Sequence, residues 1–286
     1  MEKFQIFIQL TRLNKPIGIL LLFWPCAWGL TLAYYFNGET ILYIKHLFLF
    51  FLGAILMRSA GCIVNDIVDR NLDRKVERTK KRPIAAKKIS VTAALAYVFF
   101  LCLIALSILL QFNSLTIILG MSSMVLAFAY PFMKRITYWP QFFLGLTFNW
   151  GIIMGWTSIS NDLSLEPIVL YFAAIFWTLG YDTVYGLQDI KDDEIIGVKS
   201  TSIKFKNNVK FFVGSCYILC ILLILTLSFM IEINKYIYIF SSFFMLTMIY
   251  QIKIFEVNNP VSCLKAFKVN NLTGIFIFLF IFSFQI

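Results

Sequence analysis

Acidic residues, histidine and paired cysteines are scarce in this chain. It has 15 Asp and Glu against 25 Lys and Arg, one histidine, His46, and six cysteines that include no Cys-x-x-Cys pair. Scattered cysteines of this kind are typical of small apolar fillers and not of a metal site. Because an apolar segment separates His46 from the nearest acidic cluster, a histidine general base beside that cluster is excluded.

Charged residues of either sign are also few. They make up 14% of the chain, 60% of the residues are hydrophobic, and the mean hydropathy is +0.81. This composition excludes an ordinary soluble domain. Nine segments approach the roughly 20 apolar residues that a transmembrane helix needs. They are 16–36, 46–65, 91–110, 115–133, 139–159, 166–187, 210–231, 236–254 and 268–285.

The chain is therefore predicted to be an all-α membrane protein with about nine transmembrane helices. No low-complexity linker divides it, so we expect a single domain over residues 1–286. With the N-terminus in the cytoplasm, every Lys and Arg except Lys45, Arg58 and Lys235 lies on the cytoplasmic side, as the positive-inside rule requires. Topology and attraction to anionic membrane lipid then explain the net charge of +10, and no nucleic-acid partner is expected.

Most of the acidic residues are concentrated in two short stretches, 66–77 and 182–194. The first stretch follows the second predicted span and the second lies at the end of the sixth, both on the predicted cytoplasmic side. Carboxylates at the edge of a membrane are costly unless they hold a cation or pair with one another. The two acidic clusters are therefore the candidate functional site.

The first cluster has helical spacing. Asn65, Asp69 and Asp73 are four residues apart, whereas Asp66, Asp69 and Asp73 follow steps of three and four. Either set would share one face of a helix. The first cluster can therefore present three or four oxygen ligands together.

The second cluster repeats this pattern. Its polar residues at helical spacing are Asp182, Tyr185, Asp189 and Asp193. The two clusters are thus predicted to form facing rows of oxygen ligands. Without histidine or thiolate, such rows favour a hard cation, and Mg²⁺ usually completes its coordination with water and substrate phosphate.

Basic residues beside the acids indicate a phosphate ligand. Arg78 and Arg82 follow the first cluster, and Lys191 lies within the second. Acid beside base suits a magnesium diphosphate. The alternative is that basic residues only anchor the helix ends at anionic lipid, which is the interpretation we favour for Lys87 and Lys88.

At these residues the chain resembles the UbiA superfamily of intramembrane prenyltransferases. Its signature is Asn-Asp-x-x-Asp-x-x-x-Asp after the second helix and Asp-x-x-x-Asp after the sixth, and both motifs are present, at 65–73 and 189–193. The resemblance extends over essentially the whole chain. The strings that are similar to its 4-hydroxybenzoate polyprenyltransferase branch are 12–18, 58–62, 78–83, 130–135 and 181–183.

The resemblance implies helices around a central cavity that opens to the cytoplasmic side of the bacterial inner membrane. It also implies Mg²⁺-dependent transfer of a polyprenyl group from polyprenyl diphosphate to the 3-position of 4-hydroxybenzoate, a step of ubiquinone biosynthesis. The implied magnesium ligands are Asn65, Asp69, Asp73, Asp189 and Asp193. The catalytic set is Asp66, Asp69, Asp73, Asp189, Asp193 and Tyr185.

Three further roles follow from this implied reaction. The residues expected to bind the diphosphate are Arg78, Arg82 and Lys191. Tyr185 would offer its ring to the allylic cation that forms when the diphosphate leaves. The ring proton needs a base, and both Asp182 and Asp66 are candidates.

The acceptor needs a cation for its carboxylate. Arg58 lies inside the second span, about two helical turns before the first acidic cluster, where an unpartnered arginine is expensive. It would bind the acceptor, or it would pair with a carboxylate or carbonyl of the protein itself. Lys134 and Arg135 at the end of the fourth span are rivals for the same role, and Asp182 would lie beside the acceptor.

Two other functions fit parts of the pattern. A prenyltransferase of the same superfamily could use a naphthoate, homogentisate or haem acceptor. A transporter of divalent cations or lipid phosphates would also carry paired carboxylates, but it should place charge through the middle of the membrane. Here the acids lie at one face only and mid-span charge is limited to Arg58, which argues against a path across the bilayer.

Overall fold

The computed structural model describes residues 2–231 and 236–285, and within them the chain is helical throughout. The α-helices are α1 Glu2–Thr11, α2 Ile17–Asn37, α3 Thr40–Asp73, α4 Val91–Leu109, α5 Ser114–Ile136, α6 Pro140–Ser160, α7 Leu165–Gly186, α8 Ile190–Ile196, α9 Thr201–Lys204, α10 Val209–Met230, α11 Tyr236–Ile254 and α12 Pro260–Phe282. Three short 3₁₀ turns are Leu187–Asp189, Lys206–Asn208 and Ser283–Gln285. The prediction of an all-α chain is confirmed.

A helix lies at each of the nine predicted membrane segments. Of the helices in the described residues, eight are long and apolar enough to cross a membrane. The ninth, α11, has a shorter apolar stretch, Tyr238–Ile254, and its N-terminal side adjoins residues outside the described ranges. The predicted count of nine is thus approximate. The central cavity stays a prediction.

The outer helices carry apolar side chains on their exposed surfaces. On α4, Phe99 and Phe100 are 62% and 59% exposed, and Val125 and Phe128 on α5 are similarly open. In water this much exposed aromatic and aliphatic surface would drive aggregation. In a bilayer it contacts lipid chains, which identifies the chain as an integral membrane protein.

Helix α2 packs most closely against α6, through glycine. A Cβ placed on Gly29 would overlap the backbone of Ile152, and one on Gly155 would overlap the backbone of Cys26 and Leu30. Small residues let helix backbones approach closely in membranes, where van der Waals contact drives helix association. Helix α7 in turn packs on α6, α10 and α12, so α2, α6 and α7 form the centre of the bundle.

The amphipathic helix α1 was not predicted, and it supports the end of α3. Leu10 packs with Ile63 of α3, Ile84 of the following loop and Ala94 of α4 in one buried cluster. These contacts hold the loop between α3 and α4 against the bundle. The segment that follows the first acidic cluster is therefore fixed by packing at its far end.

The two acidic clusters have different backbones. Helix α3 runs through the whole first cluster to Asp73, about two turns beyond its predicted end. Helix α7 ends at Gly186, and a 3₁₀ turn precedes the short α8. The prediction of one continuous helical row from Asp182 to Asp193 is wrong, because the change from α-helical to 3₁₀ geometry breaks the 3.6-residue period.

We predict that Gly155→Ala destabilises the bundle. The added methyl group has no space against the α2 backbone, so the helices must separate, at a cost of about 1–3 kcal/mol. The control is Gly53→Ala on α3, where a Cβ meets no atom within 4 Å. Thermal unfolding in detergent should show a lower midpoint for Gly155→Ala than for the control, and equal midpoints would contradict this packing.

Candidate active site at the ends of α3 and α7

Three carboxylates of the first cluster share one buried face of α3. Asp66, Asp69 and Asp73 are 2%, 7% and 6% exposed, and Asn65 is more open. Of the two predicted sets, the one that contains Asp66 therefore forms the buried face, and the one that contains Asn65 does not. Burial of three carboxylates requires compensating positive charge.

Asp66 is held by an arginine that lies 54 residues earlier in the chain. Nη2 of Arg12, in the turn between α1 and α2, donates to both carboxylate oxygens of Asp66 at 2.8 Å. Arg12 has a φ of 58°, in the left-handed region that is costly for a residue with a side chain. Its Nη1 also donates to the carbonyl of Gln9, so the side chain closes the C-terminus of α1 as well.

Arg82 connects two of the carboxylates. Its Nη1 donates to Oδ1 of Asp66 at 3.1 Å and to Oδ2 of Asp73 at 3.0 Å. The hydroxyl of Thr79 donates to the backbone carbonyl of Asp73 and fixes the loop that carries Arg82. Asp66 thus has two guanidinium partners, and Arg82 divides its charge between two carboxylates.

Lys134 at the end of α5 neutralises the third carboxylate. Its Nζ donates to Oδ2 of Asp69 at 2.6 Å, and Nη2 of Arg135 lies 3.7 Å from Oδ1. Oδ1 of Asp69 is buried and has no hydrogen-bond partner in the part of the chain that the structure describes. Arg135 instead donates to the carbonyl of Val68, and its side chain is 45% exposed.

The loop after α3 joins the two acidic clusters. Arg78 pairs with Asp189, with Nε 2.7 Å from Oδ1, and its Nη1 donates to the hydroxyl of Tyr185 at 3.3 Å. The Arg78 guanidinium also lies 5.5 Å from the centre of the Tyr185 ring. The backbone amide of Glu77 donates to Asp192 at 3.1 Å. The predicted proximity of the two clusters is therefore present in the structure.

Arg78 remains a full positive charge in this position. Burial by itself lowers the pKa of its guanidinium. The hydrogen bonds to Asp189 and the nearby phenol of Tyr185 raise the pKa by more than burial lowers it, so the pKa lies above its ordinary value. A permanent cation beside the second cluster can pair with an anionic ligand as well as with Asp189.

The structure does not place Lys191 with Arg78 and Arg82. Lys191 is exposed, and within the described residues it makes no hydrogen bond or ion pair with its side chain. It lines a cleft of about 200 Å³ together with Asn258 and Pro260, between α8 and the start of α12. Asp193, by contrast, lies within electrostatic range of Lys134 and Arg78.

Arg58 lies deeper in the bundle without an ion-pair partner among the described residues. Its Nε is buried and makes no hydrogen bond within residues 2–231 and 236–285, and its guanidinium lies 5.3 Å from the centre of the Phe148 ring. Gly18 on α2 leaves room for it, because a Cβ there would touch the guanidinium. Asp182 on α7 lies within electrostatic range of Arg58. Among the described residues, no carboxylate forms a direct ion pair with Arg58, so the alternative of a carboxylate partner is not observed there.

The donor set fits a magnesium ion, although the described residues contain no preformed group of three metal-binding side chains. All candidate donors are carboxylate or amide oxygens, the ligand type that Mg²⁺ prefers. The buried Oδ1 of Asp69 without a hydrogen-bond partner is the donor best suited to it. Mg²⁺ takes few protein ligands and completes its shell with water and phosphate, so a preformed cage is not required.

Sequence reasoning missed Arg12 and understated Lys134. Both partners are far away in sequence, 54 residues for Arg12 to Asp66 and 65 for Lys134 to Asp69. The only signal for Arg12 was its position in the 12–18 string. Neither pairing follows from local spacing.

Known proteins are similar to this chain in sequence and in fold. The chain matches the profile of the UbiA prenyltransferase family over residues 22–280. It is 39% identical over 275 residues to a 4-hydroxybenzoate octaprenyltransferase of Pseudomonas aeruginosa, covering 96% of this chain and 91% of that protein. It is 44% identical over 210 residues to a mitochondrial 4-hydroxybenzoate polyprenyltransferase of Arabidopsis thaliana, covering 73% of this chain and 51% of that protein. The match thus spans about half the length of the plant relative.

A solved structure has the same fold. The UbiA homologue from Archaeoglobus fulgidus bound to DMAPP and Mg²⁺ aligns with a TM-score of 0.73 at 18% identity, over 98% of each chain. At this identity the likeness concerns the fold alone. The family profile covers most of the chain, and the bacterial relative is similar over nearly its full length. The chain therefore belongs to the UbiA prenyltransferase family.

Proposed function

We propose that this protein transfers a polyprenyl group from polyprenyl diphosphate to the 3-position of 4-hydroxybenzoate, in a Mg²⁺-dependent step of ubiquinone biosynthesis. The observation that carries the proposal is a patch of buried carboxylates, Asp66, Asp69 and Asp73, interleaved with fixed cations at the polar end of an apolar bundle. The names of the relatives support the acceptor. The whole chain acts as one domain in this proposal.

The proposed magnesium ligands are Asn65, Asp69, Asp73, Asp189 and Asp193. The Mg²⁺ ion of the solved UbiA homologue supports this cofactor. When bound, Mg²⁺ stabilises the negative charge that develops on the leaving diphosphate. The ligands come from the end of α3 and from the segment after α7, so the fold itself brings the two halves of the site together.

The basic side chains would bind the same diphosphate directly. Arg78, Arg82 and Lys134 each donate to a carboxylate of the clusters, so their charged groups are already directed into the site. Preorganised donors aimed at developing charge are worth more than flexible ones, because little reorganisation is needed during reaction. Lys191 makes no such contact, and in this proposal it contributes to the surface around the entrance.

Water must be kept from the reacting carbon once the diphosphate leaves. Tyr185 packs 4.5 Å from the ring of Phe267, centre to centre, beneath Arg78. Aromatic faces favour nearby positive charge, and an apolar bundle excludes water that would hydrolyse the allylic cation. Tyr185 is therefore the residue proposed to face this cation.

The acceptor carboxylate is proposed to bind Arg58. Arg58 is a buried cation with an unused donor, and Asp182 is close enough to influence it. Arg135, the rival, is engaged with the carbonyl of Val68 at the surface. This arrangement would present the ring of 4-hydroxybenzoate between Arg58 and the diphosphate.

The ring proton is proposed to leave to Asp182. Asp66 was the other candidate, but Arg12 and Arg82 donate to its oxygens and hold it as an anion that positions its neighbours. Asp182 has no hydrogen-bond partner of this kind in the described residues and lies within electrostatic range of Arg58. In this scheme the acids of α3 serve binding, and the acid of α7 serves proton removal.

We place the site on the cytoplasmic side of a bacterial inner membrane. The distribution of lysine and arginine supports this orientation. A transporter is disfavoured, since the two acidic clusters lie at one end of the bundle and mid-span charge in the described helices is limited to Arg58. A different acceptor remains an outcome of the first experiment below.

The first prediction concerns the metal and the acceptor. In membranes supplied with a short prenyl diphosphate, product should form with 4-hydroxybenzoate and Mg²⁺, and a chelator should abolish it. Asp69→Asn should lower turnover by about 100-fold or more, because a proposed ligand of the Mg²⁺ ion that stabilises the developing charge is lost. Asp162→Asn, in the connection between α6 and α7, is the control and should retain activity. Turnover that persists in chelator would contradict the mechanism, and preference for a naphthoate or homogentisate would assign another branch.

The second prediction separates the two substrates. Arg58→Met should raise KM for 4-hydroxybenzoate by about 10- to 100-fold, because a charged hydrogen bond is lost, and leave KM for the diphosphate near its original value. Lys134→Met is the matched comparison and should mainly raise KM for the diphosphate. Steady-state kinetics that vary each substrate in turn measure both. An unchanged KM for 4-hydroxybenzoate in Arg58→Met would remove Arg58 from this role.

The third prediction concerns Arg12. Arg12→Gln leaves Asp66 with Arg82 alone, so Arg82 is drawn away from its other partner and KM for the diphosphate should rise about tenfold. KM for 4-hydroxybenzoate should stay nearly constant, and Arg12→Lys should restore part of the loss. The control Lys75→Gln removes an exposed charge from the neighbouring loop. Equal kinetics of Arg12→Gln and the control would show that the Arg12 pair does not position Arg82.

A further inference from the structure

A second basic region lies at the same end of the bundle, outside the acidic site. Lys199, Lys204 and Lys210 each have their ammonium group over an aromatic ring. The distances from Nζ to the ring centre are 5.7 Å from Lys199 to Tyr138, 4.7 Å from Lys204 to Trp139, and 5.5 Å from Lys210 to Phe255. Contacts between a cation and an aromatic face restrict otherwise flexible lysines. We call these three lysines and their rings the basic–aromatic surface.

The ring of Trp139 beneath Lys204 belongs to a packed aromatic platform. Phe205 and Phe212 are stacked with ring centres 3.8 Å apart, and Trp139 meets both rings edge-on at 5.7 and 6.1 Å. Trp139 precedes the first residue of α6, and Phe212 lies in the first turn of α10. The platform thus sits where two long apolar helices begin, which is the depth of a membrane–water interface.

The lysines of this surface are not neutralised by the protein. Among the described residues, none of the three makes an ion pair with a carboxylate, whereas neighbouring Lys206 pairs with Glu194 at 2.7 Å. The side chain of Lys199 donates only to the carbonyl of Ile136. The surface therefore presents three positive charges without a paired acid among the described residues.

Exposed apolar groups lie directly beside these charges. Phe211 is 79% exposed, next to Lys210, and Tyr138 is 43% exposed beneath Lys199. A ligand that matches both features has an anionic head and an apolar tail. A free phosphate satisfies only the first, and a neutral lipid only the second.

We propose that the basic–aromatic surface is a binding site for an anionic phospholipid, whose phosphate contacts Lys199, Lys204 and Lys210 and whose chains cover Phe211. The site reaches the acidic clusters through the backbone. The amide of Lys199 donates to the carbonyl of Lys134 at 2.8 Å, and the side chain of Lys134 binds Asp69. A bound lipid therefore stabilises the segment that holds Lys134 in place. This inference is independent of the acceptor and of the reaction.

The test compares two triple variants in nanodiscs. The site variant carries Lys199→Gln, Lys204→Gln and Lys210→Gln. The control carries Lys253→Gln, Lys265→Gln and Lys268→Gln. It removes the same amount of charge from exposed positions near the connection between α11 and α12. Each protein is prepared in phosphatidylcholine with or without phosphatidylglycerol, and native mass spectrometry and thermal unfolding are measured.

The original chain and the control should retain phosphatidylglycerol and unfold at a higher temperature when it is present. The site variant should retain it at least about tenfold more weakly, since each lysine near an anionic surface contributes to binding, and should lose the thermal shift. Equal losses in both variants would reduce the effect to bulk charge and overturn the site. A shift of the same size with inorganic phosphate in phosphatidylcholine would show that the surface binds phosphate without a lipid, and would overturn the proposal as well.

Discussion

The structure depends on holding carboxylates at the edge of an apolar bundle. Each buried aspartate of α3 would be expensive alone, and each is compensated by a cation from a different segment: Arg12 before α2, Arg82 from the loop after α3, and Lys134 from the end of α5. Arg78 makes the corresponding pair with Asp189. Because a buried ion pair costs more to break than it contributes on formation, these pairs mainly fix where the segments lie.

The apolar part of the bundle supplies what these ion pairs cannot. Glycine contacts between α2 and α6 bring backbones close together, and the ring of Phe267 on α12 packs against Tyr181 and Tyr185 of α7. A reaction through an allylic cation requires both properties, a charged end that stabilises a leaving diphosphate and a dry interior beneath it. In the proposed reaction the two properties would be needed in adjoining parts of the bundle, the charged end at Asp69 and the deeper apolar region toward Arg58.

Most of the fold could be predicted because apolar length is a local property. The nine segments were located to within a few residues, apart from the starts of α3 and α12 and the end of α3. The break after Gly186 was not predicted, since a 3₁₀ turn there depends on how α8 meets the loop after α3, and helical spacing carries no signal for it. Helix α1 is short and only moderately apolar, so a search for spans passes over it.

The sequence by itself determined the membrane class and the two acidic motifs, and it reduced the ligand face of α3 to two alternatives, because these depend on composition and on spacing within one helix. The tertiary structure decided that Asp66, and not Asn65, lies on the buried face. The sequence also indicated basic residues near the acids, but it could not say which cation meets which carboxylate. Only the tertiary structure decided that Arg12 holds Asp66, that Lys134 holds Asp69 and that Lys191 holds neither. Pairs separated by more than 50 residues form where helix packing brings the chain together, and no local pattern contains that information.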